Sequence, residues 1–301
     1  MIEGVGLLKW TGKPLLCLLL LISWTQLSAV EAVDDTGNRT ILEKPAQRII
    51  SLAPHITEAL FAAGAGDRVV GVVSYSDFPP RAKEIPLVGG YHKIDLERVL
   101  ALNPDLVVAW KSGNGDRLIN SLHKLGLKVY VTEPKSIRSI ADTIASLGQL
   151  AGSGDKAEAK ADELRNRWNG LKQKYSSKPK LRLFYQIWNS PMMTINGEHL
   201  ISRVIELCGG SNIFSDLPAL TPTVSVEAVI ASDPDVILTG GMGGEQPKWF
   251  EQWRRWSDLK AVKGNGLFHI NPDLLQRSGP RIIEGAELLC GFLDQARERQ
   301  L

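Results

Sequence analysis

Residues 96–110 read LERVLALNPDLVVAW, and residues 226–240 read VEAVIASDPDVILTG. Glu97 answers to Glu227, Val99 to Val229, Ala101 to Ala231, and Pro104-Asp105 to Pro234-Asp235. Leu96 and Val226, Leu100 and Ile230, and Asn103 and Asp233 are conservative pairs. A residue before proline avoids the α region, so each copy is a helix that stops at its Pro-Asp. The short apolar run that follows reads as a strand with both faces covered. The same helix, turn and strand in both halves of the chain predicts two related α/β lobes.

The surrounding pattern agrees. RIISLAP, VVGVVSYS and KVYVTEP read as strands, alternating with helices in HITEALFAAGA, GDRLINSLHKLG and SIRSIADTIASLGQLAG. Such alternation means a mainly parallel sheet. After Pro179 it resumes, with strands in LRLFYQIW and GLFHIN and helices in HLISRVIELCGG, KWFEQWRRWSDL and the last stretch from Pro280. Between the halves, residues 154–178 carry Ala157, Ala161, Leu164, Trp168, Leu171 and Tyr175 at helical spacing. One narrow apolar stripe on a polar helix predicts a stiff connecting strut. The expected units are an N-terminal lobe over 46–152, a backbone helix over 153–178 and a C-terminal lobe over 179–301.

Ahead of the lobes, Lys9 and Lys13 precede PLLCLLLLISW, and the small residues Ala29 and Ala32 follow. A basic start, a short apolar middle and an A-x-A-like end predict a cleavable secretory signal over 1–32, cut after Ala29 or Ala32. The apolar run is short for a membrane span. Leu16 before Cys17 disfavours a lipoprotein. Cys17 leaves with the signal, so Cys208 and Cys290 remain. In an exported chain two cysteines usually pair, the alternative being two buried thiols.

The net charge of +2 argues against a nucleic-acid partner. The glycine-rich TGGMGGEQP lacks phosphate-loop and dinucleotide spacing. There is no GxSxG elbow and no HExxH. His55, His92, His123, His199 and His269 form no close pair, so no metal cluster is signalled. His123 and His199 read as helix-surface residues. His55 stands where a strand turns into a helix and could cap it or face a ligand. No convergent nucleophile, base and oxyanion donor is evident, so an enzyme is not expected. Tyr75, Tyr91, Trp110 and Trp188 fall at or beyond strand ends, where open α/β sheets bind ligands. They predict a stacking surface for a large, flat ligand. Trp249, Trp253 and Trp256 share helical spacing and read as a packing face.

RIISLAPHITEALFAAGAGDRVVGVVSYSDFPPRAKEIPLVGG, then LERVLALNPDLVVAWKSGN, resembles the periplasmic cobalamin-binding proteins that feed ATP-binding cassette importers. The wider family also binds ferric siderophores and haem. The likeness runs from about Arg48 to the last helix, and SYSDFPPxA and the Pro-Asp units are its more specific parts. It implies two α/β lobes with mainly parallel sheets, one long helix joining them, and a ligand cleft between. It also implies a periplasmic, monomeric carrier with no catalysis and no cofactor, cobalamin being its cargo. Tyr75 then matches the aromatic that contacts the corrin, and Tyr91 and Trp110 match aromatics around it. Asp273, Leu274, Leu275, Gln276 and Arg277 match the C-lobe loop that touches the ligand. Cys208 and Cys290 match positions that the family joins by a disulfide. Glu97 and Glu227 match acidic residues that dock on arginines of the permease subunits. Tyr91 and Thr221 stand where tryptophans are familiar, and Leu274-Leu275 replace an aromatic pair, so the preferred corrinoid is open. The rival readings are a haem carrier using Tyr91 or His92 as iron ligand, and a periplasmic enzyme on the same scaffold.

Overall fold

The structure is a computed structural model that describes residues 1, 2, 4, 29–90, 93–241 and 246–300. Tyr91, His92, part of the glycine-rich loop and most of the expected signal lie outside the described residues.

The chain opens with an antiparallel hairpin, β1 (Val30–Val33) and β2 (Arg39–Leu42). The N-lobe continues with β3 (Ile49–Ser51), α1 (Pro54–Ala62), β4 (Val69–Gly71), β5 (Gly89–Gly90) and β6 (Lys93–Ile94). It ends with α2 (Leu96–Ala101), β7 (Leu106–Trp110), α3 (Lys111–Lys124), β8 (Val129–Thr132) and α4 (Ile137–Ala151). The long helix α5 (Gly154–Tyr175) leads to the C-lobe. There follow β9 (Leu181–Gln186), the hairpin β10 (Trp188–Asn189) and β11 (Met192–Met193), α6 (Leu200–Leu207) and β12 (Gly210–Asn212). The chain closes with α7 (Val226–Ser232), β13 (Val236–Thr239), α8 (Gln246–Arg254), α9 (Lys260–Lys263), β14 (Leu267–His269), α10 (Pro272–Leu275) and α11 (Ile282–Gln300).

Each lobe is built on a four-stranded parallel sheet, in the orders β4-β3-β7-β8 and β12-β9-β13-β14. The strand order is the same in both, as the repeat predicts. The repeat is also held by matching local bonds. Asp95 and Ser225 cap α2 and α7 by accepting from the backbone N–H groups of Arg98 and Ala228. Asn103 and Asp233 end those helices at φ 45° and 42°, in the left-handed region that short polar side chains tolerate. The carboxylate of Asp105 accepts from the N–H groups of Gln47 and Arg48 at 2.7 and 3.0 Å, and that of Asp235 from Arg182 N–H at 2.8 Å. The guanidiniums of Arg48 and Arg182 return to the carbonyls of Leu102 and Ser232, at 2.7 and 2.8 Å. In each lobe, therefore, Pro-Asp and an arginine staple the third strand to the first.

The strands are buried on both faces, as their apolar runs require. Alternation sends Ile49 and Val108 to the side packed by Leu60 of α1 and Ile144 of α4. Ile50 and Val107 go to the side packed by Val99 of α2 and Leu122 of α3.

Helix α5 has 22 residues, about 33 Å at 1.5 Å per residue. Its Ala157, Ala161, Leu164 and Tyr175 are buried, with Trp168 and Leu171 half-buried on the same stripe. Gly148 of α4 faces Ala157, and a side chain at that glycine would collide with it, so the two helices meet closely. Farther on, Arg167 reaches Glu287 of α11 at 2.9 and 2.7 Å. The strut thus packs against both lobes.

Two features depart from the sequence reading. Hairpin β1–β2 belongs to the N-lobe although it precedes residue 46. Ala32 and Leu42 are buried, and Asp34 and Thr40 bond the backbone of Val131 and Val129 in β8. His199 is no surface residue: it caps α6, its Nδ1 accepting from Ile201 N–H at 3.1 Å. Trp249 and Trp253 form the expected packing face, while Trp256 stays 46% exposed. A disulfide joins Cys208 at the end of α6 to Cys290 in α11. Among the described residues no helix is long and apolar enough to cross a membrane.

Candidate functional site

Strands β3, β4 and β7 end on one edge of the N-lobe, facing α10 and the turn after it in the C-lobe. Pro54, His55, Tyr75 and Trp110 from one lobe, and Pro272, Asp273, Gln276, Arg277 and Ser278 from the other, line an open cavity of about 380 Å³. Tyr75 is 74% exposed and held at φ 67°. A bulky residue in the left-handed region costs about 1 kcal/mol or more and persists where surroundings enforce it, commonly at binding sites. Trp110 closes β7 and meets the His55 ring edge-on, centroids 5.1 Å apart.

Beneath these rings lies a cluster of charge that crosses between the lobes. Glu58 of α1 has a side chain only 2% exposed. It accepts from Arg281 Nε and Nη2 at 3.0 and 2.6 Å and from Arg277 Nη1 at 3.3 Å. Arg277 also donates to Asp77 at 2.6 Å and pairs with Asp273 at 2.9 Å. The Arg281 guanidinium lies over the Phe78 ring, 4.1 Å from its centroid. Burial works against the charge on both arginines. Asp77, Asp273 and Glu58 outweigh it for Arg277, and Glu58 chiefly for Arg281, so both are held above the usual arginine range. The hydrogen bond from Arg277 holds the Asp77 carboxyl below the usual carboxylate range. Three carboxylates thus face two guanidiniums, and the cluster is net negative. His55 is pushed down to about 4, first by burial and then by Arg277, so its ring is neutral near pH 7.

Of the residues expected to touch a ligand, Tyr75, Trp110, Asp273, Gln276 and Arg277 come together here. Gln276 donates its amide to the Gly240 carbonyl at 3.0 Å, which ties α10 to the end of β13. Leu275 is not at the cavity: it is 1% exposed and packs in the core, on the inward side of the one-turn helix α10. Half-buried Leu274 and exposed Trp188 do not line it either. The β10–β11 hairpin turns Trp188 aside, where its Nε1 donates to the Ser190 carbonyl at 3.0 Å. Tyr91, and the rival iron ligand His92, lie outside the described residues.

Glu97 and Glu227 are both exposed in the first turns of α2 and α7. The backbone N–H of Glu227 itself and the Ser225 hydroxyl hold the Glu227 carboxyl below its usual range. Sequence reasoning missed Glu58, Asp77 and Arg281, and left His55 undecided. A faint signal existed in Glu58, an acid inside the apolar stretch HITEALFAA, and in two arginines four apart. Among the described residues no group of three or more acidic, histidine or cysteine side chains is placed to hold a metal ion.

The family described as periplasmic binding protein matches residues 49–274. The vitamin B12-binding protein of Vibrio cholerae is 38% identical over 256 residues, covering 85% of this chain and 92% of that protein. The crystal structure of the periplasmic vitamin B12 binding protein of Vibrio cholerae superposes with a TM-score of 0.78 over 84% of this chain and 98% of that one. A periplasmic heme-binding protein from Roseiflexus, 25% identical, superposes with a TM-score of 0.72 over 83% of this chain and 99% of its own.

Proposed function

The chain belongs to the periplasmic binding proteins, and from that premise we propose that it captures cobalamin or a closely related corrinoid and delivers it to an ATP-binding cassette importer. It makes and breaks no bond. The observation that carries the reading is the cleft itself, with exposed Tyr75 and half-buried Trp110 on one lobe facing the Asp273–Arg277 loop on the other. Flat aromatic surface gives affinity by burial and stacking, and the polar loop sets orientation. A cavity of about 380 Å³ is smaller than a corrinoid. The ligand would rest across the lining with part of its surface in solvent.

Titration with cobalamin, followed by calorimetry and visible absorbance, tests the reading. Replacing Trp110 with alanine should remove about 2 kcal/mol of burial and stacking, a loss of roughly 30-fold in affinity. Unchanged affinity would take Trp110 out of the site. Haem is the control ligand. A Soret shift on haem binding that disappears in Tyr91→Phe or His92→Ala, with no cobalamin binding, would replace the corrinoid reading with the haem one.

Delivery needs a docking surface, and Glu97 and Glu227 supply it in this reading. They occupy the same place in two stapled units, exposed and in no salt bridge with a described cation. Opposed surface charges steer encounter and fix orientation more than they add affinity. Reversing both to lysine should abolish cobalamin uptake in a transport assay and leave cobalamin affinity within about twofold, since neither lines the cleft. Uptake that survives the double reversal would reduce the pair to shared architecture.

Export through a cleaved leader is part of the same proposal. A cut after Ala29 leaves β1 whole, whereas one after Ala32 removes most of it. We therefore place the cut after Ala29.

A further inference from the structure

We propose that His55 supplies a hydrogen bond to the ligand at the floor of the cleft, and that with the charge cluster beside it this makes the site prefer an uncharged amide over a carboxylate. The proposal rests on the corrinoid reading and names the chemistry by which the cleft would tell that macrocycle from others.

Among the described residues three histidines are buried or half-buried, and two have work within the fold. His199 uses Nδ1 to cap α6, and His269 pairs Nδ1 with the Thr239 hydroxyl at 3.2 Å. The Nε2 of His269 is also buried without a partner, but His55 differs in that neither of its ring nitrogens has a hydrogen-bond partner among the described residues. It is also the histidine that lines the cavity. A buried polar nitrogen left without a partner is destabilising, and proteins leave few of them. This nitrogen has no accessible surface as it stands, so a ligand would complete the bond after the ring turns toward the cavity that it already lines.

The kind of group follows from the surroundings. A neutral imidazole offers one N–H and one lone pair, which match an amide's carbonyl and NH₂. Burial and the nearby Arg277 keep this ring neutral. Arg277 would ordinarily attract a carboxylate. Here its guanidinium is already engaged by Glu58, Asp77 and Asp273. An incoming carboxylate would meet a net negative cluster and a neutral ring. An amide meets no such repulsion. The periphery of a corrinoid carries amides, whereas haem carries carboxylates.

His55→Leu keeps the ring's bulk approximately and removes the unmet nitrogen. In the ligand-free protein it should raise Tm by about 2–4 °C. It should also weaken cobalamin binding about tenfold, and His55→Asn, which keeps a donor and an acceptor, should recover part of that. A purely structural histidine would give the opposite sign in Tm. The second probe is a cobalamin in which one peripheral amide has been hydrolysed to a carboxylate. The wild type should bind it at least tenfold more weakly than cobalamin, and Asp77→Asn, which frees Arg277, should narrow that gap. If His55→Leu binds cobalamin as tightly as the wild type, or the wild type binds both corrinoids equally, the inference fails while the corrinoid reading stands. If the wild type binds no cobalamin, both fall together.

Discussion

Replacing Glu58 with alanine is expected to lower the stability of the ligand-free protein by about 3–5 kcal/mol. The carboxylate is buried between two guanidiniums whose side chains are only 15% and 12% exposed. Removing it strips Arg281 of its ion-pair partner among the described residues, while Arg277 keeps Asp77 and Asp273. The loss comes from that stranded charge and not from any large gain the intact cluster gives. Urea unfolding monitored by tryptophan fluorescence measures it, with Glu58→Gln expected to fall between wild type and alanine. Adding Arg281→Met to Glu58→Leu should restore much of the stability, because no stranded charge remains at that side of the cluster. A single-variant loss below about 1 kcal/mol would mean that water reaches the cluster freely. The cluster also sets an acid limit. Arg277 depresses the Asp77 carboxyl in the folded state, so its contribution is complete above the ordinary value of 3.8. It is lost as pH falls through the lower, folded value. Stability measured against pH should therefore drop between 3.8 and that lower value, and less steeply in Asp77→Asn.

Removing the Cys208–Cys290 bridge by a double alanine substitution should lower stability by up to about 4.5 kcal/mol, the chain-entropy figure for a separation of 82 residues. Both cysteines are fully buried, so the substitution also leaves small cavities. Denaturant titration with and without reductant separates the two contributions, because the reduced wild type keeps the volume and loses only the link. The bridge ties α6 to α11 and touches nothing that lines the cleft. Cobalamin affinity should then change by less than threefold at temperatures where the variant is folded. An equal drop in affinity would show that the C-lobe loop depends on the bridge.

The repeat in the sequence announced two related lobes because its helix, turn and strand are local: proline ends the helix and an apolar run follows. The bonds of Asp105 and Asp235 to residues more than fifty positions away carry no such local signal. Aromatic residues at strand ends were legible at Tyr75 and Trp110, again from local sequence. The rule misled at Trp188, since nothing local in LRLFYQIW says that the chain will double back as a hairpin. Leu274 and Leu275 were placed by resemblance, and in a single helical turn one side must face the core. The interlobe cluster was out of reach. Glu58 and Arg281 are 223 positions apart, and no periodicity connects them. Hairpin β1–β2 went unread because strands of four residues, next to an apolar leader, carry too little alternation to register.

The matched staples have a consequence for recognition. Arg48 with Asp105 and Arg182 with Asp235 give the two lobes the same backbone frame around Glu97 and Glu227. If that pair docks as proposed, a membrane partner built from two identical subunits would accept the chain in either of two orientations related by a half-turn, and neither would be a mistake. The lobes differ elsewhere, in the residues each gives to the cleft and in the disulfide of the C-lobe, away from these two glutamates.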